Sequence, residues 1–286
     1  MLEIQYENTT FLNKKHDMNS NQLKSLISST CKEVGFVSQF ILKELKKVNP
    51  NDIETKSLNS LVSYVDKNAE MQLVEKLGKL LPEATFLTEE ETIENSEGEY
   101  RWIIDPLDGT TNFLHQLPFF SISVALEFQG EIILGVVYEV NRNECFYAWK
   151  DGGAYLNDVK IEVSKRVELG DALIATGFPY YDYRGVAPYF EALEFFIKET
   201  RGVRRFGSAA LDLAYVACGR FDAYYEYSLN AWDVAAGVLL VKEAGGKLSD
   251  FQGGENYIFG KEMIAASPFV FDKTLEVVKT AFTKNR

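Results

Sequence analysis

Acidic residues in three separated stretches carry the chemistry of this sequence. In Trp102-Ile103-Ile104-Asp105-Pro106-Leu107-Asp108-Gly109-Thr110-Thr111-Asn112 an apolar run ends on an aspartate, and a second aspartate follows three positions later. Pro106 is expected to keep the run from continuing as a regular central strand and Gly109 to permit an unusual turn, so both carboxylates fall on one tight loop. Glu89-Glu90-Glu91 closes the run Thr85-Phe86-Leu87-Thr88, and Asp233 stands just before an apolar helical stretch that begins at Val234. Each has a plain structural reading when taken singly. Asp108 fits an Asx-type turn capping a short helix at Thr110, the glutamates fit a solvated charge run, and Asp233 fits a helix N-cap. Brought together, the four side chains Glu89, Asp105, Asp108 and Asp233 need compensation, because two like charges at about 4 Å repel by about 4 kcal/mol at an effective dielectric of about 20. Hard divalent cations with all-oxygen ligands supply it, Mg²⁺ foremost, and the lack of His and Cys in these stretches argues against zinc.

The elements that must hold these residues follow from periodicity. Apolar residues at helical spacing run from Gln22 to Leu45, and a second helix is expected from about Asp66 to Leu80, ahead of Pro82. Strand-like runs follow in TFLTEE, YRWIID, FSISVALEF, EIILGVVYEV and ECFYAWK, with Gln129-Gly130 and Asn141-Arg142-Asn143 as turns, which reads as an antiparallel meander. Beyond about Ser164 strands alternate with helices: DALIATGF, a helix near Pro188 to Lys198, GVRRF, the helix SAALDLAYVACG, FDAYYEY, the helix DVAAGVLLVKEAG and a last helix from Lys273 to Phe282. No repeat, low-complexity tract or Pro/Gly/Ser-rich linker divides the chain.

The stretch WIIDPLDGTTNF, with TEEE upstream and NAWDVAAG downstream, resembles the inositol monophosphatase family of magnesium-dependent, lithium-sensitive phosphatases. The motifs occur in the family's order, and the resemblance covers the chain from about Gln22 to its end, leaving the first twenty residues outside. It implies an α/β fold, a five-layer α-β-α-β-α sandwich of two fused subdomains, with a polar extension over 1–21, a metal-bearing α+β subdomain over 22–163 and an α/β subdomain over 164–286 that completes the site. By the same resemblance one Mg²⁺ is held by Glu89, Asp105 and the carbonyl of Leu107, a second by Asp105, Asp108 and Asp233, and a third, weaker ion lies near Glu89. Glu89 and Thr110 orient the attacking water, and Asp66 pairs with Thr110. Gly109 and Thr110 present backbone N–H groups to the phosphate. Asp108, Ala209 and Glu226 line the substrate side, and Lys56 matches a lysine that adds a mobile positive charge, although an exposed loop lysine is an equal reading. The implied activity is hydrolysis of a small polyol or sugar phosphate, inositol monophosphate foremost, in a homodimer. Fructose-1,6-bisphosphatase or 3′-phosphoadenosine 5′-phosphate phosphatase activity, or a partner-binding regulatory protein with residual phosphatase activity, are the alternatives. Relatives that act on the nucleotide tend to carry Lys-Glu where this chain has Thr111-Asn112.

Composition agrees with this in what it excludes. The chain has 286 residues, 30 basic against 42 acidic, and a formal charge of −12, which disfavours binding to nucleic acid. An acidic protein acting on an anion needs local positive charge, which metal ions and peptide dipoles provide without a basic cluster. The three cysteines, Cys31, Cys145 and Cys218, are scattered and odd in number, so neither a disulfide framework nor a zinc ribbon is expected, and a reducing cytoplasm fits. No apolar run approaches the roughly 18 residues of a membrane span, and the opening residues lack a signal-like core, so no membrane association is expected. His16 and His115 have no partner cluster in the sequence and are expected to be structural or exposed. The tract FPYYDYRGVAPYF is expected at the substrate mouth or a dimer contact.

Overall fold

The computed structural model describes residues 18–48, 53–57, 60–179 and 182–284. Most of the polar extension, His16 within it, and the pair Tyr180-Tyr181 lie outside the described residues. The first helix, α1 (Ser20–Glu44), begins at a capping box in which Asn19 accepts from the backbone of Gln22 while the Gln22 side chain accepts from Asn19. Its apolar stripe of Leu23, Ile27, Val34, Val37 and Ile41 is buried. A short hairpin, β1 (Ile53–Ser57) and β2 (Ser60–Ser63), leads into α2 (Tyr64–Leu80), whose capping box joins Ser63 and Asp66. The hairpin was not expected from the sequence.

A seven-stranded sheet follows, built from β3 (Thr85–Thr88), β4 (Tyr100–Asp108), β5 (Ser121–Phe128), β6 (Glu131–Glu139), β7 (Glu144–Trp149), β8 (Gly153–Leu156) and β9 (Val159–Ile161) in spatial order. The pairs from β4 to β7 form the expected antiparallel meander, which β8 and β9, not expected from the sequence, extend, but β3 pairs with β4 in parallel, because the chain between them returns to the same end of the sheet. Between β4 and β5 sits the short helix α3 (Thr110–Leu114).

The second half places a 3₁₀ turn at Leu169–Asp171 before β10 (Leu173–Thr176), then α4 (Val186–Glu199), β11 (Gly202–Arg204), α5 (Ala209–Ala217), β12 (Ala223–Tyr227), α6 (Ala231–Glu243), β13 (Lys247–Ser249), β14 (Glu262–Ala266) and α7 (Pro268–Lys284). Its five strands order as β11-β10-β12-β14-β13, parallel through β11, β10 and β12 and antiparallel at β14.

Side-chain alternation turns these elements into layers. On β4, Trp102 and Ile104 enter one apolar cluster with α1 and α2, while Ile103 enters another with α5 and α6. On β12, Tyr224 faces α5 and α6, whereas Ala223 and Tyr225 face α4 and α7. The order is therefore helices, seven-stranded sheet, helices α5 and α6, five-stranded sheet, helices α4 and α7: the five-layer sandwich. The middle helices are apolar on nearly every side, with Val234 to Val241 all buried, as a layer enclosed by two sheets requires.

At the sequence's most informative point the strand continues, but not as a regular one. Pro106 does not end β4; the strand runs on to Asp108, and the ladder to β5 slips so that Asp105 pairs with Ser123 and Asp108 with Ser121. Three steps on one strand oppose two on the other, which is a bulge, and Pro106 occupies the displaced stretch where a ladder N–H is not needed.

Candidate active site

One pocket collects residues from both halves: Glu89, Asp105, Leu107, Asp108, Gly109 and Thr110 from the seven-stranded side, and Gly177, Arg205, Ala209, Glu226 and Asp233 from the other. All the sequence-selected positions thus share one wall or another of a single pocket, apart from Asp66, which stands behind it, and Lys56. Lys56 falls on β1, and its side chain lies outside the described residues. His115 is exposed and takes no part.

The bulge in β4 aims the carboxylates. Asp105 is 2% exposed, and its Oδ1 accepts from the N–H of Leu107 at 2.9 Å. Gly109 then adopts φ +94°, where a β-carbon is disfavoured, and turns the chain into α3. At the start of that helix the Thr110 hydroxyl lies 3.0 Å from Asp66 Oδ1 and 2.9 Å from the Leu107 carbonyl, and its single hydrogen serves one acceptor at a time. Asp66 is fully buried; its Oδ2 accepts from the N–H of Ser63 at 2.8 Å and from the Ser63 hydroxyl at 2.7 Å. Burial raises its proton affinity and the Ser63 and Thr110 bonds pull it back.

Of the two aspartates expected to cap their own neighbourhoods, Asp233 does so from the third helical position instead of the N-cap, and Asp108 does not. Asp108 reaches across the molecule: its Oδ2 accepts from the Ser208 hydroxyl at 2.6 Å and from the N–H of Ala210 at 2.8 Å, so it satisfies the N-terminus of α5. Asn230 is the N-cap of α6, and Asp233 is the third residue of its first turn, accepting from the Asn230 N–H at 2.7 Å. Glu89 follows β3, its N–H bonded to the Ile104 carbonyl at 3.2 Å.

These carboxylates repel one another. Burial, followed by Glu89, Asp108 and Asp233, raises the proton affinity of Asp105 well above the ordinary carboxylate range. Burial, then Glu89 and Asp108, does the same to Asp233. Asp108 is pushed up to about 6 by burial, against the Ser208 and backbone bonds and the charge of Arg205. Among the described residues no three acidic, His or Cys side chains stand close enough to form a ready-made ligand set. The donor chemistry nevertheless fits a hard cation: every group is an oxygen, and Asp105 and Asp233 each have one oxygen tied by a backbone N–H and a second with no hydrogen-bond donor among the described residues.

The opposite wall is set by Glu226, whose Oε2 accepts from the buried Tyr224 hydroxyl at 2.7 Å. Burial pushes it up to about 7, with Tyr224 and Arg205 opposing. Gly177 makes room for it, since a β-carbon there would stand 2.0 Å from the Glu226 carboxyl.

Arg205 was missed in the sequence. It brings the only cationic side chain among the pocket-lining residues described, and its guanidinium stacks 5.3 Å from the Phe178 ring centroid. Its signal was the second arginine of GVRRF, two residues ahead of Gly207, in a stretch read only as a strand. Asp212, read as part of a core helix, is a buried carboxyl whose proton affinity rises through burial and then through Glu226 and Asp108.

Comparison with known proteins places this geometry. A model of the inositol monophosphatase family matches residues 8–281, reaching into the opening segment that the sequence motifs had left outside. The chain is 42% identical over 240 residues to an inositol-1-monophosphatase of Rhizobium meliloti, covering 84% of this chain and 90% of that protein. It is 41% identical over 232 residues to the Nus factor SuhB of Pasteurella multocida, covering 80% and 87%. The crystal structure of the extragenic suppressor protein suhB of Bartonella henselae superposes with a TM-score of 0.85 at 39% identity, covering 89% of this chain and 98% of that one.

Proposed function

The chain belongs to the inositol monophosphatase family, and from that premise we propose that it hydrolyses a small polyol phosphate monoester, inositol monophosphate foremost, with Mg²⁺. The observation that carries the proposal is the shared pocket of Glu89, Asp105, Asp108 and Asp233 with the turn at Gly109 and Thr110 beside it. Glu89, Asp105 and the Leu107 carbonyl would hold one ion, and Asp105, Asp108 and Asp233 a second. Bound Mg²⁺ supplies a lowered pKa for water and charge compensation at phosphorus and at the leaving oxygen.

The chain's own groups do the rest. The Thr110 hydroxyl, held by Asp66, and the Glu89 carboxylate orient the attacking water and take up its proton. Backbone N–H groups of Gly109 and Thr110 are directed to the phosphoryl oxygens, since the first turn of a helix leaves its N–H groups without partners inside the helix. On the far wall Glu226 accepts from a hydroxyl of the polyol, and Ala209, a side chain without bulk, leaves space for the ring.

Release of inorganic phosphate with Mg²⁺ tests this, using inositol 1-phosphate, fructose 1,6-bisphosphate and 3′-phosphoadenosine 5′-phosphate side by side. The first is expected to be turned over with the highest kcat/KM. Preference for the nucleotide moves the chain to another branch of the fold, and no turnover of any of the three ends the proposal.

Gly177→Ala separates polyol recognition from chemistry. The added carbon displaces the Glu226 carboxyl, and loss of about one hydrogen bond to a charged group raises KM for inositol 1-phosphate roughly tenfold. Hydrolysis of p-nitrophenyl phosphate, which has no ring hydroxyls, is expected to stay within about twofold. An equal loss on both substrates removes Glu226 from recognition.

The Nus factor relative favours a second reading, in which contact with partners is the main role. Turnover of the intact protein decides between them, because a pure binding module needs none.

A further inference from the structure

We propose that Glu70 is a positioning residue for Glu89, fixing from inside α2 the backbone that carries the Glu89 carboxylate into the pocket; this rests on the phosphatase reading above. Glu70 is fully buried, an expensive place for an anion unless its lone pairs are filled. Three donors fill them, all from the segment just after Glu89. Oε2 accepts from the N–H of Glu90 at 2.7 Å; Oε1 accepts from the N–H and from the hydroxyl of Thr92, each at 2.7 Å.

The residue between, Glu91, has φ +52°, the left-handed region that non-glycine residues rarely enter. The segment is thus bent against local preference, and the Glu70 carboxylate is what compensates the bend. Upstream, the strand is tied by Asn95, whose side chain accepts from the N–H of Thr88 at 2.7 Å and donates to the Thr88 carbonyl at 3.2 Å. Glu89 lies between these two anchors, with its own N–H on β4.

Asp66 and Glu70 are four residues apart on α2 and so share a face of the helix. Asp66 holds Thr110 and Glu70 holds the Glu89 segment, so one helix face sets both members of the pair assigned to the attacking water. The two carboxyl oxygens match the three donors; an amide would turn its NH₂ toward a backbone N–H and leave both without an acceptor.

The test uses the full chain carrying Glu70→Gln, and Glu70→Asp, which keeps the charge but withdraws it by one methylene. Three readouts are taken: Mg²⁺ affinity by calorimetry, hydrogen–deuterium exchange of the Glu90 and Thr92 amides, and kcat against KM. Loss of such a supporting contact is expected to weaken Mg²⁺ binding about 10- to 100-fold, with faster exchange at the two amides. KM for inositol 1-phosphate should stay within about twofold while kcat falls at fixed Mg²⁺, a split that general loosening of the fold does not produce. Unchanged Mg²⁺ affinity and unchanged exchange in Glu70→Gln overturn the proposal; should that variant not fold, the same result in Glu70→Asp overturns it. Failure of the phosphatase reading looks different: the unaltered chain then shows no Mg²⁺ heat and no phosphate release.

Discussion

Asp105→Asn is expected to lower kcat by about three orders of magnitude while leaving the metal-free protein as stable as before, or more so. The asparagine oxygen still accepts the Leu107 N–H that Asp105 accepts at 2.9 Å, so the bulge of β4 keeps its internal bond. What disappears is a buried charge raised in proton affinity by desolvation and by Glu89, Asp108 and Asp233. A group kept for folding costs stability when neutralised; a group kept for function against electrostatic repulsion relieves the fold when neutralised. Phosphate-release kinetics, together with thermal melting in EDTA, read the two effects separately. A kcat within tenfold of the unaltered chain, or a clearly lower melting temperature in EDTA, contradicts the assignment of Asp105.

Removing divalent cations is expected to make stability strongly dependent on pH, and Mg²⁺ should abolish that dependence. In the folded chain Asp108 is pushed up to about 6 and Glu226 up to about 7, and Asp105 and Asp233 are raised well above the ordinary carboxylate range. In the unfolded chain such groups titrate near the ordinary value of about 4. Between these limits the folded state holds more protons than the unfolded, so stability is greatest at the acid side of the window and is lost as pH rises through 6 and 7. In EDTA the melting temperature should therefore fall between about pH 5 and pH 7.5. A cation present at a hundredfold its dissociation constant restores about 2.7 kcal/mol, or about 5–10 °C for a chain of this size. Superimposable melting curves with and without Mg²⁺ across this range would mean that the acidic pocket takes no cation.

The outer architecture was readable because its signals are local. The stripe of α1, the meander turns and the apolar run of α6 each lie within one window of sequence. Elements without such a window were passed over. β14 is a short, buried run of Met263 to Ala266 with no alternation, and β13 has three residues. The same distinction runs through the pocket. The bonds of Asp108 go to Ser208 and Ala210, a hundred positions away along the chain, and a short-range turn was the natural expectation. At Asp233 the sequence did hold the answer: Asn230 followed three residues later by an acidic residue is a helix-start pattern, obscured because the expected boundary was placed at the edge of the apolar run that begins at Val234. Glu70 and Arg205 went unnoticed since a charged residue on a helix or a short strand ordinarily faces solvent.

The contacts that cross the middle of the sandwich constrain how such a protein can be rebuilt. Asn112 donates to the Phe206 carbonyl at 2.7 Å, Ser121 and Ser208 share a bond of 3.2 Å, Ser123 donates to the Trp232 carbonyl at 3.0 Å, and Asp108 caps α5. Every one of them joins a residue before 164 to one after it. The two halves are therefore not interchangeable cassettes. A chimera spliced near that junction from two homologues inherits a working cleft only if both parents carry the same polar stitches, so recombination here is tolerated as a matched pair or hardly at all.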